Sequence, residues 1–386
     1  RYKKDLEAIE NLATRFETID LNRSIDSLER AFLLLDDCRR LGMLPFAHLA
    51  RSAFVAVTLL RGAEADGVIS TAACESFFSS MRTISHRLTI DAQATAQGDM
   101  SWELFVERYG HLRPGTYEVT SPRYDEDPEH FLRPLVEHAD EAEFEPENIE
   151  LWQAERSAFI DAMGDFGLPM DVHEVEDFLR QAIEGREYAK FVFSRNLSAA
   201  LEALAEVGEL YGLTRRELAE VSLDAILALR DSRQPGQDKI QQLRELAKVG
   251  REARMVAIAC ELPPLITQEY DLETFVIGAD RPNFIGTTAV TASSIDLSTH
   301  DTDKDLYIAG QIVLIPQADP GYDWLFGQGI AALITQYGGA NSHMAIRAAE
   351  FGLPAAIGIG EQRYRGICKA QVLELDPANE ILRVVR

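Results

Sequence analysis

The sequence predicts a multidomain chain of two classes, an all-α helical domain over residues 1–268 followed by an α/β domain over residues 269–386. Three observations predict it. Apolar residues recur at helical spacing through the first part, as in Leu6, Ile9, Leu12 and Phe16, with Lys and Glu on the opposite face. From Phe275 onward the pattern becomes short apolar runs bounded by Gly, Pro and Asp, the signature of strands. Between them Pro263 and Pro264 stop the last helix, which places the boundary near Pro263 to Asp271.

The helices follow in order. After the Leu6 to Phe16 stripe, a second helix is expected from about Ser24 to Gly42, where glycine acts as the stop signal. A third covers Ala47 to Leu60 and a fourth Thr71 to about Leu88. Their Phe and Met residues read as core of a helical bundle. Ser101 opens a short helix through Trp102, Phe105 and Val106. Pattern resumes from about Glu147 to Phe166, and Asp171 begins a long run ended by Gly212. Thr214 and Glu217 form a capping box, Arg233 to Gln237 is a polar turn, and a last helix runs from about Asp238 to Cys260. The strands expected are Phe275 to Gly278, Thr287 to Ala292, Gln311 to Ile315, Ala331 to Ile334, Ala355 to Ile359, Val372 to Leu375 and Ile381 to Val385.

Composition bounds the function. A chain of 386 residues that is 46% hydrophobic can bury sizeable cores. A formal charge of -25 disfavours nucleic acid and anionic membrane surfaces as partners, and reads first as a solvated, self-repelling surface. Cys38, Cys74, Cys260 and Cys368 are scattered, without a CxxC pair or a His cluster at ligand spacing. Neither a disulfide framework nor a metal site is predicted, and a cytoplasmic location is expected. No apolar run approaches the roughly 20 residues of a membrane span, and no signal-peptide pattern opens the chain. The chain starts at Arg1 directly in helical pattern, as expected of a portion of a longer polypeptide.

Two stretches carry chemistry in the first domain. Tyr109 to Tyr124 holds His111, Arg113, Arg123, hydroxyls and aromatic rings in an otherwise acidic protein, and its prolines and glycines exclude a regular element. Such a composition suits an anionic or phosphorylated small molecule. It equally suits a rigid loop whose arginines pair with Glu118, Asp125 or Glu126. On the long helix, Arg186, Glu187, Lys190 and Arg195 lie close to one face, and there mutual ion pairing is the competing reading. Asp125 to Glu150 is acidic and proline-punctuated, and reads as a solvated connection.

The stretch that organises the second domain runs from Thr335 to Gly358. An apolar run, Ala331 to Ile334, is followed by Gly338 and Gly339, then by Ser342 as N-cap, Gly352 as C-cap and Pro354 as stop. This reads strand, glycine turn, helix, strand, with His343 in the first helical turn. Free amides and the positive end of the helix dipole favour a phosphoryl group there. Gly338 and Gly339 permit close backbone approach, while Thr335, Asn341 and Ser342 offer hydrogen bonds to phosphate oxygens. A neutral imidazole is a competent nucleophile. The arrangement suits a histidine that is transiently phosphorylated, set against a histidine that only packs or caps the turn.

This string resembles the phosphohistidine signature of phosphoenolpyruvate-utilising enzymes, matching it at Thr335, Gly338, Gly339, Ser342, His343, Ala345, Ile346, Ala348, Glu350, Gly352, Pro354, Ala355 and Gly358. Asn341 replaces the usual Thr, and Ala349 stands where the family has Arg. Asp319 to Trp324 resembles the family's Asp-Pro-Gly-Trp segment. Gly110, His111, Pro114, Gly115, Pro122 and Arg123 are similar to a motif in the middle domain of rifampin-phosphotransferase-like proteins, relatives of phosphoenolpyruvate synthase. In that family a long middle-domain helix carries an Arg-Glu-x-x-Lys pattern, as here at Arg186, Glu187 and Lys190.

The resemblance implies a dikinase-type phosphotransferase with a swivelling phosphohistidine domain. ATP, with Mg, would be bound by an ATP-grasp domain upstream in the same polypeptide and would phosphorylate His343, releasing AMP and phosphate. A small-molecule acceptor would then take the phosphoryl group, with His111, Arg113, Arg123, Arg186 and Lys190 as candidate acceptor-binding residues. The chain has no GxxxxGK[ST] loop of its own. A phosphoenolpyruvate synthase relative without its pyruvate barrel, and a non-catalytic binding protein that keeps the swivelling fold, are the alternatives.

Overall fold

The computed structural model describes residues 2–20, 22, 24–137, 139, 149–165, 171–231, 237–259, 266, 268–269, 282–298, 308–318, 320–340 and 342–386. In chain order its helices are α1 (Tyr2–Asp20), α2 (Ser27–Asp37), α3 (Leu44–Ala65), α4 (Thr71–Ser79), α5 (Ile84–Gln97), α6 (Trp102–Tyr109), α7 (Pro128–Phe131) and α8 (Arg133–Glu137). They continue with α9 (Glu150–Asp165), α10 (Val172–Leu210), α11 (Arg215–Leu218), α12 (Leu223–Leu227), α13 (Gln237–Ala259), α14 (His343–Glu350) and α15 (Glu361–Ile367). Two compact units divide the chain. One comprises Arg1–His111, Ala139–Arg215 and Leu223–Ile240, the other Leu112–His138, Arg216–Ser222 and Gln241–Arg386.

Polar side chains set the starts of the helices in the first unit. Asp26, Ser70, Thr83, Ser101 and Asp171 each accept a hydrogen bond from a first-turn amide of the helix that follows. The long α10 packs against α1, α2 and α3, and also against α5 and α9. Phe77, Trp152, Phe159 and Leu179 form one fully buried core, and Ile9, Leu12, Leu49 and Ala189 another.

Two helical expectations change. Gly42 does not stop its helix: the backbone passes through a π-helical segment, Cys38–Met43, directly into α3. The resulting stretch Ser27–Ala65 is long and apolar enough, by length and composition, to cross a membrane. Leu34, Leu49, Ala53, Ala56 and Leu60 are buried and the helices pack on α10, but only 28% of the apolar window is buried, and Met43, Leu44, Phe54 and Val55 are exposed. The helix expected from Thr71 to Leu88 is broken after Ser79, where the Ser80 hydroxyl donates to the Phe77 carbonyl at 2.7 Å and Thr83 caps a new helix.

The second unit is built on seven strands: β1 (Asn283–Ile285), β2 (Val290–Asp296), β3 (Ile312–Gln317), β4 (Ala332–Tyr337), β5 (Ala355–Ile357), β6 (Val372–Asp376) and β7 (Ile381–Val384). Their order is β1-β5-β4-β3-β2-β6-β7. The centre is parallel, with Leu314 opposite Ile334 and Ile334 opposite Ala356. β1, β6 and β7 join antiparallel. Residues Ile312 to Ile315 and Ala332 to Ile334 are all buried, the continuous apolar run of parallel strands covered on both faces. β1 has no counterpart among the expected strands, and the expected strand Phe275 to Gly278 lies outside the described residues.

Asp125 to Glu150 is not a solvated connection over its described part. Leu112–His138 belongs to the sheet-bearing unit, with Tyr124, Phe131, Leu132 and Val136 buried there. The expected boundary at 268 and 269 does not separate this stretch from the helices around it, because helical periodicity is silent about which unit an irregular segment packs on.

Candidate functional site

β4, α14 and β5 form a strand, helix, parallel strand unit, and the turn after β4 sits at the carboxyl edge of the parallel strands, where open α/β sheets place ligands. Three strand ends converge there. The Ala318 amide beyond β3 donates to the Tyr337 carbonyl at 3.0 Å, and the Gly358 amide beyond β5 donates to the Thr335 carbonyl at 3.1 Å. Gly338 has φ 142, and a Cβ on it would lie 2.6 Å from that of Ala318. Only glycine fits so close an approach of strand ends.

Ser342 caps α14, its hydroxyl accepting from the Ala345 amide at 3.3 Å, and its own amide donates to the Gly339 carbonyl at 2.9 Å. His343 is therefore the first residue of the helix and is half-buried. The other amides of the first turn and the helix dipole favour an anion beside it. Thr335 is fully buried, which changes its expected role. Its hydroxyl donates to the Tyr337 carbonyl at 3.0 Å and accepts from the Gly358 amide at 3.0 Å, so it holds the turn's shape. Asn341 lies outside the described residues.

Around the histidine, Ile346 is 49% exposed, and Ala349, where the family has Arg, is exposed as well. Arg347, one turn after His343, is only 4% exposed. Its guanidinium lies 4.6 Å from the Phe351 ring centroid and 5.7 Å from that of Phe326, a cation held between aromatic faces.

The candidate acceptor residues fall in both units, His111, Arg186 and Lys190 in one and Arg113 and Arg123 in the other. In the helical unit His111 is buried edge-on against Phe191 at 4.6 Å. Arg186 lies over the Phe54 ring at 5.3 Å and faces Glu187 at 3.7 Å, while Lys190 is half-buried on α10. Arg113, in the other unit, is 2% exposed and donates to the carbonyls of Glu118 at 3.2 Å and Ser121 at 3.1 Å. It shapes the loop from within, since a guanidinium this deep must satisfy its donors locally. Arg123 pairs with Asp125 at 2.9 Å, the ion-paired alternative.

The sequence patterns did not single out Asp91. Its carboxylate is 11% exposed and accepts from Arg108 and from the Tyr109 hydroxyl, the latter at 2.7 Å. Burial, and then this carboxylate, push the Tyr109 phenol well above the ordinary tyrosine range. The three residues come from α5 and α6, and no local spacing connects them. Among the described residues no group of three or more His, Cys, Asp and Glu is placed to hold a metal ion.

Residues 308–379 match the family model described as PEP-utilising enzyme, mobile domain. The chain is 25% identical over 305 residues to a rifampicin phosphotransferase of Streptomyces sviceus, covering 73% of this chain and 34% of that protein. A second of that name, from Bacillus cereus, is 25% identical over 67% of this chain and 31% of its own length. One from Bacillus subtilis is 30% identical over 47% and 21%. The chain thus spans about a third or less of the length of the curated relatives it matches. Glycine turn, capped histidine and sequence similarity converge: residues 308–379 match the mobile domain of PEP-utilising enzymes, and the chain is similar to rifampicin phosphotransferases.

Proposed function

We propose that this chain is part of a dikinase-type phosphotransferase in which His343 carries a phosphoryl group from ATP to a small-molecule acceptor. The observation that carries this reading is His343 as first residue of α14, on a glycine turn at the carboxyl edge of parallel strands. A lone pair of the neutral imidazole attacks the β phosphorus while its bond to the AMP oxygen breaks, that oxygen keeping the electron pair, and water takes the γ phosphoryl group, which leaves as inorganic phosphate. In the second transfer an acceptor oxygen attacks, the N–P bond breaks, its electron pair returns to the ring, and the acceptor's proton passes to a base or solvent.

In this proposal Gly338, Gly339, Asn341 and Ser342 surround the phosphoryl group, and Thr335 keeps the turn in shape. Positioning and a preset dipole supply the chemistry's electrostatics. ATP binds in an ATP-grasp domain elsewhere in the polypeptide, and Mg, expected with the nucleotide, has no role assigned to residues described here. The acceptor contacts His111, Arg186 and Lys190 in the helical unit. Two half-reactions on one carrier require the carrier to move between sites. The cytoplasm is the compartment proposed.

The test is His343→Ala in the full polypeptide, with ATP labelled separately at the β and γ phosphates. Label from the β position on the unaltered protein, and none on the variant, is the expected result; undiminished turnover by the variant removes the proposal. A second reading, a non-catalytic binding protein, is favoured by the exposed Ala349 in place of the family's Arg. Absence of phosphohistidine by mass spectrometry under acid-free handling supports that reading over the first.

A further inference from the structure

Ile84, Arg87, Arg108, Tyr109 and Phe191 line a cavity of about 350 Å³ in the helical unit. We propose that this cavity, between α5, α6 and α10, binds a small molecule with a flat apolar body and a carboxylate or phosphate group, which Arg87 receives. Because Phe191 packs on His111, which the proposed function gives to the acceptor, this inference rests on that reading of the helical unit and names the chemical class its site would take, while binding itself needs no phosphoryl transfer at His343.

The walls differ in character. Phe191 and Ile84 supply the apolar lining, and Phe191 meets the His111 ring at 4.6 Å and the Tyr109 ring at 5.9 Å, both edge to face. A ring so fixed loses little freedom when a flat ligand stacks on it. The polar side is cationic. Arg108 is already paired with Asp91, to which Tyr109 also donates, so this carboxylate is engaged twice. Arg87 stands one helical turn before Asp91 on α5. It is exposed, and among the described residues it has no ion pair.

Counting Arg87, Arg108 and Asp91 together leaves one positive charge in excess beside the apolar walls. In a chain of formal charge -25, an unneutralised guanidinium bordering a cavity selects locally for an anion. The volume lies at the low end of the roughly 300–1,000 Å³ of small-molecule sites, so the occupant is small.

The experiment titrates phenyl phosphate, and separately benzyl alcohol as a neutral counterpart, into the full polypeptide carrying His343→Ala, which excludes any contribution from phosphoryl transfer. Saturable binding of phenyl phosphate is expected, with benzyl alcohol at least about tenfold weaker. Arg87→Ala is expected to weaken phenyl phosphate by about tenfold or more while leaving the melting temperature unchanged, because the side chain is exposed and unpaired. Phe191→Leu, which keeps an apolar side chain but removes the ring, is expected to weaken both probes. Equal binding of the two probes, unchanged affinity in Arg87→Ala, or no saturable binding of phenyl phosphate each overturns the proposal.

Discussion

The phenol of Tyr124 donates a buried hydrogen bond of 2.6 Å to the carbonyl of Gly321, tying an irregular loop to the segment that follows β3. Tyr124 stacks on Phe131 at 4.9 Å, and Phe131 meets Trp324 edge-on at 5.6 Å. A Cβ on Gly321 would lie 1.8 Å from the Arg113 carbonyl oxygen, so backbone meets backbone with no side chain able to yield.

Two substitutions separate these contributions. Tyr124→Phe keeps the ring stack and removes the donor, and is expected to cost about 1 kcal/mol. Gly321→Ala forces the backbones apart and is expected to cost about 1–3 kcal/mol, read by thermal or denaturant unfolding. A Gly321→Ala variant as stable as the original removes the close approach from the account.

His130 makes this same region sensitive to acid. Its ring lies 4.8 Å from that of Phe131 and 4.9 Å from that of Trp324, and burial pushes its pKa below the ordinary histidine value, with Asp127 opposing. The unfolded chain therefore binds a proton more readily than the folded one. His130's contribution is fully present above about pH 6.5, the unfolded value, and is lost as pH falls toward the lower folded value. Melting temperature measured from pH 8 to 5 is expected to fall less in His130→Phe than in the unaltered chain. Parallel curves would assign the acid sensitivity elsewhere.

At the glycine turn, Thr335 and Ser342 act by different routes. Thr335→Val removes one of two hydrogen bonds from the Tyr337 carbonyl and one of two from the Gly358 amide, each of which keeps a backbone partner, and is expected to cost about 1 kcal/mol. Ser342→Ala loses a helix cap and is expected to cost about 1 kcal/mol. Hydrogen exchange at the Gly358 amide, which donates to the Thr335 hydroxyl, is expected to accelerate in the first variant more than in the second. Equal protection of that amide in both variants contradicts the role assigned to Thr335.

Asp91 joins Arg108 and Tyr109 beside the cavity. Asp91→Asn removes the charge that helps hold the Tyr109 phenol above its usual range, so this phenol is expected to ionise at lower pH in the variant, although burial keeps it above ordinary tyrosines. Ultraviolet titration against a Tyr109→Phe control reads the change, and an unaltered Tyr109 titration excludes the coupling.

Local chemistry made much of this legible. Ser101, Asp171 and Ser342 mark helix starts because capping satisfies amides within one turn, which needs no distant partner. The turn at Gly338 and Gly339 was readable for the same reason. For Arg113 and Arg123 alike the sequence left anion binding and loop ion pairing open, yet one is buried against loop carbonyls and the other pairs two residues away. Gly42 looked like a stop, but packing around the helix carried the backbone through it as a π segment.

By itself, the sequence determined where helices and strands alternate and which histidine begins α14, because periodicity and capping act over a few residues. Tertiary structure alone decided that Leu112–His138 packs in the sheet-bearing unit, that Thr335 faces inward, and that Arg87, Arg108 and Phe191 border one cavity. Those outcomes depend on which distant surfaces exclude water together, and burial of that kind is a property of the assembled chain rather than of any stretch of it.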